Sequence, residues 1–407
     1  MNTSLVFLLV ITMIMLLINK NKFGTYYSSF FFVVLPYTII IFINNVIMCK
    51  RGFYPISEKT IYIISLGEFL FFLGTLVGRI RKKNKVINNN RIKESQVVNS
   101  TLIAFTIISC GIVFVDLLMC IRRYGLGNYI SGGELYARGQ IAEHFRLVLV
   151  ILSILLIEEY LKKKKLYHMF LLICSLGLIF SSFIKYHIIA TFLSIIIYFA
   201  LVHREYLKKI GVVFGSLIIV SFVLTYVITF KSYNASVTNT FYGNHLWGYI
   251  AGGILNIDNG TTFFSMRRTD LSFVLWIVEM ITSFPSMITN KLFGFSFTDY
   301  IFCQKTIEFN LGASSSNVIC IPGAAYIQGG LICFAIFVFV AGMIIEYVFC
   351  KAKRTVSMSR LVATSVFLSY CMLSFFASFF ELSAPWETML LSFVVVEITK
   401  IKFVVKH

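Results

Sequence analysis

Charged side chains are scarce in this chain, 13% of its 407 residues, where a soluble domain carries about 25%. Acidic residues are the scarcer sign, 18 Asp and Glu against 36 Lys and Arg. With 58% apolar residues and a mean hydropathy of +0.84, a set of water-soluble domains is excluded. The chain reads as a membrane protein.

Other absences narrow the chemistry. There is no G-x-x-x-x-G-K-[ST], no G-x-G-x-x-G in a strand-to-helix setting and no D-x-D pair, so nothing offers to cradle a nucleotide or a metal-bound sugar nucleotide. H-E-x-x-H and G-x-S-x-G are also missing. Nine cysteines lie scattered, mostly inside apolar runs, with no C-x-x-C spacing, which supports neither a zinc site nor a disulfide framework. An enzyme built this way is expected to need no cofactor and no metal, and to act on a substrate that is already activated.

What is present is a series of apolar runs. A bilayer core takes about 20 apolar residues per helix, and eleven stretches qualify, some of them short: 4–19, 28–48, 60–78, 97–119, 147–161, 166–182, 186–202, 210–230, 318–349, 361–380 and 388–399. The run Leu5–Ile18 has no positive region before it and no cleavage-like site after it, so it is read as a retained helix rather than a signal peptide. The fold class expected is all-α, one polytopic membrane domain over residues 1–407 with about eleven transmembrane helices.

Lys and Arg set the expected orientation, since cytoplasmic loops keep an excess of them. The basic clusters are Lys20 and Lys22, Arg79 to Lys93, Lys162 to Lys165, Arg204 to Lys209, Lys351 to Arg360, and Lys400 to Lys406. All fall on one face if the chain alternates through eleven spans. This accounts for most of the net charge of +18 as topology and contact with anionic membrane lipid. No nucleic-acid partner is implied.

Two outer segments remain, 121–146 and 231–317. The second is too long for a connector, and its 16 aromatics in 87 residues argue against disorder. Within it the apolar run 271–281, ending at Phe284-Pro285, is too short to span, so an interfacial or re-entrant helix is expected, with Thr269 and Asp270 as its cap. The first segment holds Arg122, Arg123, Arg138 and Arg146 against Glu134 and Glu143. A positive surplus on the outer side runs against the usual sidedness. Either an anionic ligand is handled there, for which the planar guanidinium fork is suited, or an interfacial helix sends its arginines to lipid phosphates.

Arg138 lies mid-segment and is the first candidate for an anion site. Arg267 and Arg268, just ahead of the re-entrant candidate, form a second possible clamp, and Lys185 an auxiliary beside His187. For proton transfer the candidates are His245 and Glu134, then Glu143, His144 and Asp270. His245 combines a near-neutral titration with aromatic neighbours suited to stacking on a sugar. Glu68 falls near the middle of the third span, where a charged carboxylate costs on the order of 3 kcal/mol, so it should face the interior with a partner or be protonated. Asp116, Glu346 and Glu397 stand nearer helix ends, and a proton relay keeps a transporter under consideration.

Several motifs, in their order, resemble the bacterial oligosaccharide repeat-unit polymerases (O-antigen polymerase, Wzy-type) from about residue 97 onward. They are Gly132-Gly133 before Tyr136-Ala137-Arg138, the turn Ser181-Ser182-Phe183-Ile184-Lys185, Ala251-Gly252-Gly253, Phe284-Pro285-Ser286, and Ser315-Ser316-Asn317 leading into Pro322-Gly323-Ala324-Ala325-Tyr326. Lys185 stands where an arginine is common in that family. The resemblance implies a membrane-helical (GT-C-like) glycosyltransferase of the bacterial plasma membrane with its active site facing outward. Its substrate would be an oligosaccharide carried on undecaprenyl pyrophosphate, and a chain-length regulator protein is a possible partner.

On that reading the growing O-antigen or capsular chain passes to the non-reducing end of a new unit. Arg138, Arg267, Arg268 and Lys185 would bind pyrophosphate, His245 or Glu134 would serve as base, and Tyr136, Tyr242 and Trp247 would face sugar. The alternatives are an O-antigen ligase, which shares the donor, and a lipid-linked oligosaccharide flippase or other transporter.

Overall fold

The computed structural model describes residues 2–24, 26, 28–79, 97–129, 140–231, 239–260, 272–295, 307–310, 314–316, 318–355 and 357–401. In chain order the helices are α1 (Thr3–Phe23), α2 (Ser29–Val46), α3 (Glu58–Arg79), α4 (Asn99–Tyr124), α5 (Gln140–Lys163), α6 (Leu166–Phe180), α7 (Lys185–Val202), α8 (Leu207–Lys231), α9 (Asn239–Leu255), α10 (Ser272–Phe293), α11 (Ile321–Ala352), α12 (Met358–Met372) and α13 (Ser383–Ile398). One short antiparallel hairpin interrupts them, β1 (Ile307–Asn310) paired with β2 (Ser314–Ser316).

Among the described residues nine helices are long and apolar enough to cross a membrane. Eight of them lie on expected stretches, and the chain is a multi-pass membrane protein. Three expected stretches fall on other helices. Residues 166–182 form the 15-residue α6, and 388–399 lie in the 16-residue α13. Residues 147–161 lie in α5, whose apolar run is bounded by Arg146 and by Glu158-Glu159.

The ninth apolar helix is α10. The expected short helix does not stop at Phe284-Pro285; it runs on through Pro285 for 22 residues in all. Proline removes one N–H from the ladder, a loss that membrane helices tolerate where neighbouring helices and local adjustment compensate. Thr282 donates to the Val278 carbonyl and Thr289 to that of Pro285, on either side of the Ile281 carbonyl that Pro285 leaves without its ladder donor. Ser272, Trp276, Glu279 and Ser286 are buried while Val274, Ile281, Ile288 and Leu292 are exposed. The polar face turns inward and the apolar face outward, the reverse of a helix in a soluble protein.

The contacts fall into two compact units, each assembled from separate stretches of chain. The first comprises residues 1–85, 238–351 and 370–383. In it α3 and α11 meet backbone to backbone. A Cβ placed on Gly74 would lie 2.1 Å from the Phe339 carbonyl oxygen, one on Gly78 2.4 Å from that of Met343, and one on Gly342 2.3 Å from that of Phe71. Lipid tails are as apolar as leucine, so close approach at small residues replaces the hydrophobic effect as the force joining such helices. The N-terminus of α3 is tied down by Asp258, which accepts from the Ser57 N–H at 3.0 Å and the Thr60 hydroxyl at 2.6 Å. Gly330, at φ 68° and ψ −171°, breaks α11, a conformation that only glycine adopts without strain.

The second unit comprises residues 86–237, 352–369 and 384–407. Its centre is α5, whose residues Leu147 through Ile157 are buried on every side. A helix apolar all round belongs at the middle of a bundle. Around it α4 shows a regular seam, with Leu102, Thr106, Ser109, Val113, Asp116 and Cys120 buried at alternating spacings of four and three residues. That spacing keeps one face toward its neighbours.

Candidate functional site

The seam of α4 carries Asp116 into the second unit near the end of the helix. The first turns of α5 bring Glu143 and Arg146 to the same place. Arg146 is 2% exposed, its Nη2 stands 3.5 Å from Asp116 Oδ2, and its Nη1 donates to Glu143 Oε1. His187, on the first turns of α7, lies within the electrostatic reach of Arg146, and its Nε2 is buried with no hydrogen-bond partner among the described residues. Next along α5, His144 Nδ1 is hydrogen-bonded to Glu387 Oε1 of α13.

The turn between α6 and α7 closes this group. Phe183 holds φ at 54°, in the left-handed region that a bulky side chain avoids. Two contacts stabilise it: the Ile184 N–H donates to Ser182 Oγ at 3.3 Å, and the Phe183 ring meets Tyr129 edge-on at 6.2 Å. Tyr129 in turn donates its phenol to the Ser181 carbonyl at 2.7 Å. Tyr129, at the end of one described stretch, and Arg146, near the start of the next, are thus both tied to neighbouring elements.

Two carboxylates and one guanidinium do not make an anion site of themselves. Asp116 and Glu143 occupy the fork that a phosphate would use, so Arg146 works as an anchor of α5 to α4. The interfacial role weighed for Arg146, with its side chain reaching toward lipid phosphates, is not the one found, because the side chain is buried. Sequence reasoning had set Asp116 apart from this segment and missed their pairing.

Of the other expected site residues, Glu134, Tyr136, Arg138, Arg267 and Arg268 lie outside the described residues, as do Thr269 and Asp270. Tyr242 and His245 are on α9, with side chains outside the described set. Lys185 starts α7, half-buried, two residues before His187. Trp247 is on α9 in the first unit, where its indole N–H donates to Asn44 Oδ1 at 2.9 Å and its ring packs on a buried apolar cluster. The polar edge that a sugar hydroxyl would meet is already engaged.

The first unit adds a pair of carboxylates that sequence reasoning did not single out. Glu279 of α10 and Glu381, in the turn after α12, are electrostatic neighbours, and Trp276 donates its indole N–H to Glu381 Oε1 at 2.6 Å. Ser283, on the same face of α10, reaches the main-chain oxygens of Phe380 and Leu382. Burial holds the Glu381 carboxyl above its usual range, against the lowering effect of the nearby Ser378 hydroxyl and of the hydrogen bond from Trp276. The spacing 272, 276, 279, 283, 286 was the available signal. Among the described residues no three His, Cys, Asp or Glu side chains are grouped so as to hold a metal ion.

Compared with known proteins, the chain matches no family model, no curated protein and no solved structure.

Proposed function

We propose that the protein polymerises oligosaccharide repeat units carried on undecaprenyl pyrophosphate at the outer face of a bacterial plasma membrane. The observation that carries this reading is the surplus of arginine in 121–146, a segment whose described ends are clamped by Tyr129 and by the Arg146 cluster. Guanidiniums held in fixed positions are the condition for electrostatic catalysis. The family resemblance supports the same reading.

In this mechanism the acceptor hydroxyl attacks the anomeric carbon and the bond to pyrophosphate breaks. Negative charge builds on the leaving group, so fixed guanidiniums there stabilise the transition state more than the ground state. Arg138, Arg267 and Arg268 take that role, with Lys185 as auxiliary. His245 or Glu134 receives the acceptor proton, while Tyr136, Tyr242 and the ring face of Trp247 stack on sugar.

Purified protein given lipid-linked repeat units alone should lengthen them and release undecaprenyl pyrophosphate. Arg138→Ala should insert normally and lower that release by about two orders of magnitude, the effect of losing one donor to a developing anion. Undiminished release removes Arg138 from the site. A ligase would release nothing until a lipid A core acceptor is added.

A second reading has its own support. Glu68 and Glu279 are buried within apolar helices, and such residues mark proton or substrate paths in carriers. A proton-coupled flippase would move the lipid-linked substrate across proteoliposomes and release no pyrophosphate.

A further inference from the structure

Glu68 on α3 is 4% exposed, and hydroxyls from two other helices meet its carboxyl group. Its Oε2 is 2.6 Å from Thr12 Oγ1 of α1, and its Oε1 is 2.9 Å from Thr38 Oγ1 of α2. Thr12 Oγ1 also lies 2.8 Å from the Leu8 carbonyl oxygen and 3.2 Å from Thr38 Oγ1.

Proton counting decides the state of this group. Each threonine hydroxyl has one hydrogen, and a carbonyl oxygen has none. The contact to Oε1 takes the Thr38 hydrogen, and Thr12 has one hydrogen for two acceptors, the Leu8 carbonyl oxygen and Oε2. With Glu68 ionised, one of those two contacts has no hydrogen. Two oxygens at 2.6 or 2.8 Å with only lone pairs between them repel. With a proton on Oε2 the chain closes: Thr38 donates to Oε1, Oε2–H donates to Thr12, and Thr12 donates to Leu8.

A carboxyl O–H is a stronger donor than an alcohol and accounts for the shorter bond to Thr12, while the Thr38 contact has the length of a bond to a neutral oxygen. The surroundings add no counter-charge. The packed face of α1 offers Leu5, Leu8, Thr12 and Met15, α11 sets Phe334 against Gly67, and α2 brings Tyr37, whose hydroxyl is 3.0 Å from Ser374 Oγ. Tyr37 is the titratable neighbour, and among the described residues no Lys, Arg or His bears on Glu68.

We infer that Glu68 is a proton-binding site within the membrane, a neutral carboxylic acid whose one exchangeable proton ties α3 to α1 and α2. Removing that proton leaves Thr12 with a single hydrogen between two acceptors, so one of the links joining these helices fails. The inference does not depend on the polymerase reading, because it concerns the first unit alone and needs no substrate.

Glu68→Gln tests it. The amide keeps the pattern, its NH2 donating to Thr12 and its oxygen accepting from Thr38. In lipid at neutral pH the infrared difference between native and Glu68→Gln protein should show a protonated-carboxyl C=O band that the variant lacks, with the melting temperature unchanged. No such band, or a glutamine variant as unstable as Glu68→Ala, overturns the inference. A second test uses the native chain. Dicyclohexylcarbodiimide adds to protonated carboxyls in apolar surroundings, so mass spectrometry should find the adduct on Glu68 at neutral pH and lose it at alkaline pH. Labelling of other buried carboxyls with Glu68 unmodified counts against the proposal.

Discussion

Buried and half-buried carboxylates of the second unit sit beside basic side chains: Asp116 and Glu143 with Arg146, Glu158 with Lys162 and His203, Glu159 with Lys163, and Glu387 with His144. In the first unit Glu68 meets threonine hydroxyls and Glu381 an indole, and Glu346 alone in that unit has a basic partner in the salt bridges described, Arg79 at 3.5 Å. An ion pair balances the loss of hydration with Coulomb attraction and fails when one partner is removed. An acid held by hydroxyls avoids that balance when it keeps its proton. The second unit is thus framed by ion pairs, while the first is built on close helix packing and on acids held by hydroxyl and indole donors.

Arg146→Ala strikes the second frame hardest. It leaves the buried Asp116 and the half-buried Glu143 beside no guanidinium, a loss of about 3 kcal/mol. Thermal unfolding in detergent should show a large drop, and replacing Arg146 together with Asp116 by apolar residues of similar volume should recover much of it. If Arg146→Ala melts like the native protein, the ion-pair account of this unit is wrong. The corresponding blow to the first unit is steric. Gly74→Ala drives a methyl toward the Phe339 carbonyl oxygen, and forced overpacking of this kind costs about 1–3 kcal/mol. Its effect on melting should not change with salt, whereas the penalties for removing the exposed ion pairs of the second unit should shrink as salt rises.

The sequence disclosed the spans because a bilayer demands long apolar runs, and most expected runs became helices. It misjudged α10, because Pro285 reads as a terminator in water and is tolerated where hydroxyls and neighbouring helices re-engage the backbone. The expected alternation of basic clusters holds only if α10 does not reverse the chain's direction, so length and charge give different counts there. Asp116 was visible as one position in a seam of regular spacing, but its partner Arg146 lies 30 positions away and on another helix, and no local pattern links them. The same holds for Glu68, whose hydroxyl partners come 56 and 30 positions earlier in the chain. Candidates chosen for their charge, Arg138, Arg267 and Arg268, fall outside the described residues, and their bearing on the site rests on the sequence.

The smallest expected effect separates the two ways of holding a carboxylate by pH. His203, between α7 and α8, is hydrogen-bonded through Nε2 to Glu158 at 2.8 Å, while its Nδ1 faces Glu205 at 3.3 Å. Burial disfavours its charged form, but the hydrogen bond and charge of Glu158, with help from Glu205, outweigh burial and raise its titration above the usual value. Lys162 shares Glu158, and Tyr198 also reaches it. A histidine raised in the folded state stabilises fully below its unfolded value of about 6.5, and that contribution is lost as pH rises through the folded value. Melting temperatures of native and His203→Gln protein should therefore differ most near about pH 6 and converge as the solution becomes alkaline, with a difference on the order of 1 kcal/mol at most. Glu68 should respond in the same alkaline direction but in the first unit, so a Glu68→Gln background should leave the His203 difference intact. Loss of that difference in the double variant would show that the two units share one titration and would break the contrast between them.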